Sequence, residues 1–266
     1  MSEVGVVGVG RMGMPMVVRL VAAGHTVSAL GRAPEVGERL AASGALPCAD
    51  IAEVAGPDTN VVIVTVLTDE QVREVCLSSP LLQRLPSGAT IVIHTTGSPR
   101  TALEVAEEAA RHDLAVIDAP VSGGPHDIAA GHLTVFAGGD EKVVDAVRPT
   151  LGAYADPILY TGATGSGQVV KLVNNAMFAA QIGLVRAGVE LAARLGVDET
   201  LLLSALPNGS ANSRALGAIA RRESVDVFVD SVREFIGKDV DVVRKVTAEL
   251  GSNLGPLDDL ITQIGL

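Results

Sequence analysis

Residues 4–32 read VGVVGVGRMGMPMVVRLVAAGHTVSALGR, and this stretch decides the fold class. It opens on Val4, Val6 and Val7, an apolar run without polar alternation, as expected for a strand covered on both faces of a parallel sheet. The run enters Gly8-Val9-Gly10-Arg11-Met12-Gly13, a GxGxxG turn. Met16, Val17, Leu20 and Val21 then recur at helical spacing up to Gly24, and a second apolar strand is expected over 25–30. Strand, glycine-rich turn and helix within about thirty residues form the dinucleotide-binding fingerprint in its working context. The glycines permit a tight turn and close backbone approach, while the helix N-terminus offers its amides to a pyrophosphate.

The end of the second strand bears on cofactor choice. An NAD site usually carries a carboxylate there to hold the ribose 2′-hydroxyl. This chain reads Leu30-Gly31-Arg32, with no acid and an arginine available for a 2′-phosphate. NADP is therefore the expected cofactor and NAD the alternative, with Gly31 and Arg32 joining the turn residues as candidate contacts. The competing reading of Arg32 is a solvated loop residue.

The strand–helix alternation continues. Strands are expected over 60–67, 89–93, 114–117, 133–137 and 158–160, with a helix capped at Thr68, one opened by Pro99 and one over 141–151. In open α/β sheets the C-terminal strand ends line the ligand crevice. Leu67, Thr68 and Thr96 therefore fall where a cofactor lies, with Ser122, Gly123 and Gly124 of the DAPVSGG stretch (118–124) beside them. Strand-like runs stop after Tyr160, which sets the expected boundary between an α/β domain over 1–161 and an all-helical domain over 162–266.

The second domain opens on GSGQVVKLVNN (165–175) and a helix expected over about 167–195. From Gln168 to Leu195 there is no proline, and glycine appears only at Gly183 and Gly188. At about 1.5 Å per residue it spans roughly 40 Å. Val169, Val170, Leu172, Val173, Met177, Leu184, Val185 and Leu191 make most of its circumference apolar, so burial in protein is expected. Gln168, Lys171 and Asn175 share one face by their spacing. A buried lysine must be paired or neutral and asparagine is a poor helix former, so both are unfavourable there. Unfavourable residues aligned on a central helix mark a candidate site. Further helices are expected over 198–206, 213–222, 230–250 and 257–264, with Lys238 early in the third of these.

Composition narrows the function classes. The net charge of −11 argues against nucleic-acid and anionic-membrane partners. Cys48 and Cys76 lack CxxC spacing and the five histidines form no ligand pattern, so neither a disulfide framework nor a metal is expected. No basic region precedes the first apolar run, and Lys171, the asparagines and Arg186 interrupt the long helix. A signal peptide and a membrane span are therefore not expected, and the default location is cytoplasmic. An aromatic content of 2% favours a small polar substrate over a stacked ring.

Four separated stretches, GVGRMGMPM (8–16), DAPVSGG (118–124), GATGSGQVVKLVNN (162–175) and KDVDVV (238–243), resemble the β-hydroxyacid dehydrogenase family. Its members include 3-hydroxyisobutyrate dehydrogenase, tartronate semialdehyde reductase and the glyoxylate/succinic semialdehyde reductases. The resemblance implies an N-terminal Rossmann domain joined by a long interdomain helix to an all-α domain, with the active site between them. It implies NAD(P)-dependent oxidoreduction of a small carboxylate-bearing substrate, a β-hydroxyacid or semialdehyde, by a homodimer or homotetramer. Lys171 matches the family's catalytic lysine and Asn175 its substrate-anchoring asparagine, with Asn174 beside it. Ser122, Gly123 and Gly124 match the substrate-carboxylate loop, and Leu67, Thr68, Thr96 and Lys238 match cofactor contacts.

On this reading Lys171 moves the proton that accompanies hydride transfer, its pKa lowered by burial from a reference near 10.4. Asn175 bonds the reacting oxygen or Lys171 itself, and the amides of 122–124 hold the carboxylate. The chain departs from the family pattern at Ile93-His94-Thr95, where an aspartate and serines are common, at Leu67-Thr68, where Leu-Pro is common, and in lacking a DFS-type segment after its last helix. The alternatives are an imine-reductase-like enzyme, against which Lys171 counts, and a non-catalytic NADP-binding structural or regulatory protein.

Overall fold

The computed structural model describes residues 2–265. Its first half alternates β1 (Glu3–Val7), α1 (Gly13–Ala22), β2 (Thr26–Leu30), α2 (Pro34–Ala42), β3 (Leu46–Cys48), α3 (Ile51–Val54) and β4 (Val61–Val64). It continues through α4 (Asp69–Leu77), α5 (Leu81–Arg84), β5 (Thr90–Ile93), α6 (Pro99–Ala110), β6 (Ala115–Asp118), β7 (Val121–Ser122), α7 (Pro125–Ala130), β8 (Leu133–Gly138), α8 (Glu141–Leu151) and β9 (Ala155–Gly162).

These strands form one sheet in which β3-β2-β1-β4-β5-β6 run parallel. β8 then lies antiparallel to β6 and β7, with β9 parallel to β8. Strand order reverses between β1 and β4, the switch point at which such sheets open a crevice beyond their C-terminal ends.

The unbroken apolar runs have a simple cause. Period-2 alternation delivers one set of side chains to each helical layer. Val4 and Val6 of β1, Val61 and Ile63 of β4 and Ile117 of β6 meet Met16, Val17 and Leu20 of α1, Ile128 of α7 and Val144 of α8. Val7, Val62, Val64, Ile91, Ile93 and Val116 face the other layer, against Val54 of α3, Val72 and Val75 of α4, Leu81 of α5 and Val105 of α6. Each such side chain, fully buried, contributes roughly 1.5–3 kcal/mol.

The remainder is α9 (Ser166–Arg194), α10 (Glu199–Ala205), a 3-10 turn at Leu206–Asn208, α11 (Arg214–Ala220), α12 (Val225–Glu249) and α13 (Pro256–Thr262). The chain divides into two compact units between Lys171 and Leu172. The composition shift lies earlier, at 161/162, because α9 begins inside the first unit and passes into the second without a break. α12 starts at Val225 instead of 230, since Val225, Phe228 and Val229 all enter the core of the second unit. Lys238 therefore sits mid-helix.

One expectation is overturned. α9 is not buried around most of its circumference: Val169, Val170, Val173, Met177, Leu184 and Leu191 are exposed, Leu184 at 57%. Its buried face in the second unit is made mainly of small residues, Ala176, Ala179 and Ala180 with Ile182, which let the other helices approach closely. The larger side chains fall on an arc of roughly 100° turned away from that core. By length and composition alone α9 would pass as a membrane-crossing helix, yet Ala179, Ala180 and Ile182 pack into a protein core.

Gly183 marks the tightest approach. A methyl there would collide with the Leu260 carbonyl of α13, whereas one at Gly188 would meet nothing within 4 Å. Gly183→Ala should lose about 1–3 kcal/mol through overpacking despite alanine's better helix propensity. Gly188→Ala should gain up to about 1 kcal/mol. Urea unfolding of the two variants checks the pair, and equal effects at both positions would refute the packing argument.

Candidate active site

The glycine-rich turn is shaped by contacts only glycine allows. Gly8 has φ +102°, and a Cβ there would strike the Thr65 carbonyl. A Cβ on Gly13 would strike the Gly8 carbonyl, so the turn closes tightly on itself. Gly10 differs: a Cβ would meet nothing within 4 Å, which leaves clear space in front of the turn. α1 has no acid in its first turn, so the positive end of its dipole is not offset locally.

A cleft of about 380 Å³ opens where β1, β2 and β4 end. Gly8, Val9, Gly10 and Arg32 line it, together with Leu30, Val36, Ile51, Val66, Gln71, Glu74 and Val75. A cleft lined by apolar side chains, an arginine and the backbone of a glycine-rich turn has the chemistry to hold part of a nicotinamide dinucleotide. Gly31 is closely packed, and a Cβ there would press 2.9 Å from Leu40. Arg11 is exposed beside the turn and Met12 is half-buried at the head of α1. Gln71, Glu74 and Ile51 come from α3 and α4, and no spacing in the sequence links them to the turn.

Leu67 and Thr68 open α4. The Thr68 hydroxyl accepts the Gln71 amide at 3.2 Å, and the Leu67 amide donates to Gln71 Oε1 at 2.8 Å. The neighbouring loop after β5 is fastened on several sides. Thr95 Oγ1 donates to the Val66 carbonyl and accepts the Val66 amide, both at 3.0 Å. The Ser98 amide donates to the Asp69 carboxylate at 2.9 and 3.1 Å. Gln168 Nε2 donates to the Thr95 carbonyl at 2.8 Å, and the Gly97 amide donates to Gln168 Oε1 at 2.9 Å. Thr96, between them, is half-buried.

Just before this loop lies His94, within the Ile93-His94-Thr95 departure from the family pattern. It is 2% exposed, with Nδ1 2.5 Å from the Ala119 carbonyl and Nε2 2.7 Å from the Tyr154 hydroxyl. The carbonyl can only accept, so Nδ1 carries the proton and Nε2 accepts from Tyr154. Burial pushes His94 down to about 4, partly opposed by the Ala119 bond, so the ring is neutral.

Asp118 ends β6 with no exposed surface. Its Oδ1 accepts the Gly165 amide at 2.6 Å and its Oδ2 the Gln168 amide at 2.8 Å, which anchors the first turn of α9. Burial pushes Asp118 up to about 6, and the amides of Gly165, Gln168 and Gly167 pull the other way. Side chains at Gly138 or Gly167 would displace this carboxylate. Further along α9, Lys171 is 9% exposed and Asn175 7% exposed. Asn174 Nδ2 donates to Asn175 Oδ1 at 3.2 Å, and Asn175 Nδ2 is buried without a partner among the described residues.

The 122–124 loop requires a correction. The Gly124 amide is not available as an anion donor, because it donates to Asp127 Oδ2 at 2.7 Å. Asp127, at the third position of α7, reaches back to cap its own helix. Gly123 has φ +132° and a Cβ there would also meet this carboxylate. Ser122 of β7 pairs with Thr134 of β8, and the His126 side chain is 84% exposed. In the second unit, Lys238 lies exposed on α12. Asp118 and Gln168 stand inside the 118–124 and 162–175 stretches, and Gln168 on the helical stripe of Lys171, but spacing alone assigns neither an anchoring role.

Residues 3–162 match the family described as the NAD binding domain of 6-phosphogluconate dehydrogenase. Residues 165–263 match that described as NAD-binding of NADP-dependent 3-hydroxyisobutyrate dehydrogenase. A probable 3-hydroxyisobutyrate dehydrogenase of Mycobacterium tuberculosis is 35% identical over 217 residues, 81% of this chain and 72% of the relative. The 2-(hydroxymethyl)glutarate dehydrogenase of Eubacterium barkeri is 30% identical over 218 residues, 81% of this chain and 72% of its own. Among solved structures, 3-hydroxyisobutyrate dehydrogenase of M. tuberculosis with L-serine superposes with a TM-score of 0.87 at 28% identity, covering 100% of this chain and 93% of that one. An imine reductase from Pseudomonas sp. shares the fold at 21% identity, with a TM-score of 0.67 over 99% of this chain and 92% of that one.

His94 and Asp118 pull acid stability in opposite directions. The folded pKa of His94 lies below the usual 6.5, so the unfolded chain takes the proton first. Its contribution is complete above about pH 6.5 and is lost as pH falls toward 4, about 3 kcal/mol over the window. The folded pKa of Asp118 is raised, so the native state takes the proton first and gains stability between about pH 6 and 3.8. Wild type should therefore respond weakly to acid over this range. Asp118→Asn should lose stability steeply as pH falls, and His94→Gln should gain it. Denaturant unfolding across the window tests this, and identical slopes for the three proteins would contradict it.

Proposed function

The chain belongs to the β-hydroxyacid dehydrogenase family, and from that premise we propose that it moves hydride between NADP and a small carboxylate-bearing substrate, a β-hydroxyacid in one direction and its semialdehyde in the other. It is an oxidoreductase of the 3-hydroxyisobutyrate dehydrogenase family, with a nicotinamide cofactor and a small-molecule substrate. The finer reading rests on one observation. Lys171 and Asn175 are both buried one turn apart on α9, and the Asn175 amide keeps a donor without a partner among the described residues.

When bound, the nicotinamide supplies the hydride exchange at the carbon that bears the hydroxyl or carbonyl. The chain must handle the matching proton. Lys171 Nζ gives it to the carbonyl oxygen during reduction and takes it back during oxidation. Asn175 Nδ2 donates to the same oxygen, held in orientation by Asn174. The Ser122 hydroxyl and the Gly123 backbone remain to hold the substrate carboxylate, since the Gly124 amide is engaged by Asp127. The names of both relatives denote acids carrying a hydroxymethyl group, which supports a short chain with the alcohol near the carboxylate. For NADP, Arg32 lines the cleft and would meet the 2′-phosphate, since Leu30-Gly31-Arg32 carries no acid at the end of β2.

Lys171→Ala should keep NADPH binding and lose roughly 10²–10⁴-fold or more in kcat. Steady-state oxidation of NADPH with a panel of small semialdehydes measures this, and near-wild-type turnover would sink the assignment. Arg32→Ala should raise KM for NADPH by on the order of tenfold while leaving KM for NADH nearly unchanged, the loss of one charge-assisted phosphate contact. Equal effects on both cofactors would remove the basis for NADP preference.

A further inference from the structure

Gln168 joins three elements, and the proton-transfer chemistry assigned to Lys171 makes no direct use of it. Its backbone amide is held by Asp118 at the end of β6. Its side chain, on a residue 2% exposed, grips both sides of Thr96 in the loop after β5. The Thr95 carbonyl can only accept and the Gly97 amide can only donate, so the glutamine amide fits in one orientation. Lys171 follows three residues later on the same face of α9.

We propose that Gln168 is a positioning residue that locks the Thr96 loop in register with Lys171. This rests on the reading that Thr96 contacts the cofactor and Lys171 moves the proton. Hydride and proton transfer then depend on two elements, and Gln168 fixes the spacing between them. A misplacement of about 1 Å at such a junction lowers turnover on the order of 10²-fold.

Gln168→Met keeps the volume and removes both bonds. With NADPH and the semialdehyde panel, it should lower kcat by on the order of 10²-fold and raise the primary isotope effect from NADPH deuterated at nicotinamide C4. NADPH affinity, read by fluorescence titration, should change little. Gln168→Glu supplies an independent readout. Protonated, the new carboxyl donates to the Thr95 carbonyl and accepts the Gly97 amide as the glutamine does. Ionised, it sets an anion against that carbonyl.

Asp118 lies against the same turn, and Asp69 lies against Gly97 and Ser98; both disfavour ionisation, while Lys171 along the helix favours it. Activity of Gln168→Glu relative to wild type at the same pH should therefore rise as pH falls. Wild-type kcat in Gln168→Met, or a pH-independent ratio in Gln168→Glu, overturns the proposal while leaving the oxidoreductase reading intact. A wild-type protein inert across the panel overturns that reading and this proposal with it.

Discussion

Asp118 is where the two structural demands of this chain meet. A helix begins with four backbone amides that lack internal partners, and its N-terminus carries a partial positive charge. α9 buries that end, so something anionic or polar must be buried with it. The Asp118 carboxylate does this from the end of β6, accepting the amides of Gly165 and Gln168. The arrangement needs space that only glycine leaves: Gly138 lies directly opposite Asp118 in β8, and Gly167 crosses its face. This contact fixes where the first turn of α9 begins against β6, and with it the placement of Gln168.

The first unit is legible in the sequence because its signals are local. The GxGxxG turn, the N-cap at Thr68 and the opening Pro99 are each recognisable within a few residues, and they mark element order in the sequence. Strand lengths are less legible. In β4 both faces are apolar, so nothing in the run 60–67 marks where pairing stops, and it stops at Val64. The same ambiguity affects α9. Its large apolar side chains read as core, yet alanines make much of the packed face, because helix–helix approach favours small volume there. Hydrophobicity alone does not say which of two apolar arcs is covered.

The candidate site divides along the same line. Residue types at fixed spacing single out Gln168, Lys171 and Asn175 from the sequence alone. What those residues touch depends on pairs far apart in the chain, such as 97 with 168 and 118 with 165. Spacing carries no record of such pairs. The 122–124 loop misleads for a related reason. Its glycines read as open donors, but a carboxylate three residues on reaches back to Gly124, a local competitor that the bare SGG motif does not exclude.

Many polar groups of this region satisfy one another, and on α9 Asn175 is an exception. Thr95, Gly97, Ser98, Gln168 and Asp118 form bonds in which each donor meets an acceptor. Asn175 does not complete the pattern. Its Oδ1 takes the Asn174 donor, which fixes the amide orientation and leaves Nδ2 buried with no acceptor among the described residues. Such a group is unfavourable by about 1–3 kcal/mol. Asparagine is also a poor residue for a helix interior, so neither packing nor helix propensity explains its presence there. On the proposed function a ligand oxygen supplies the missing acceptor, and the carbonyl or alkoxide of that proposal is a ligand that would also need the lysine one turn away.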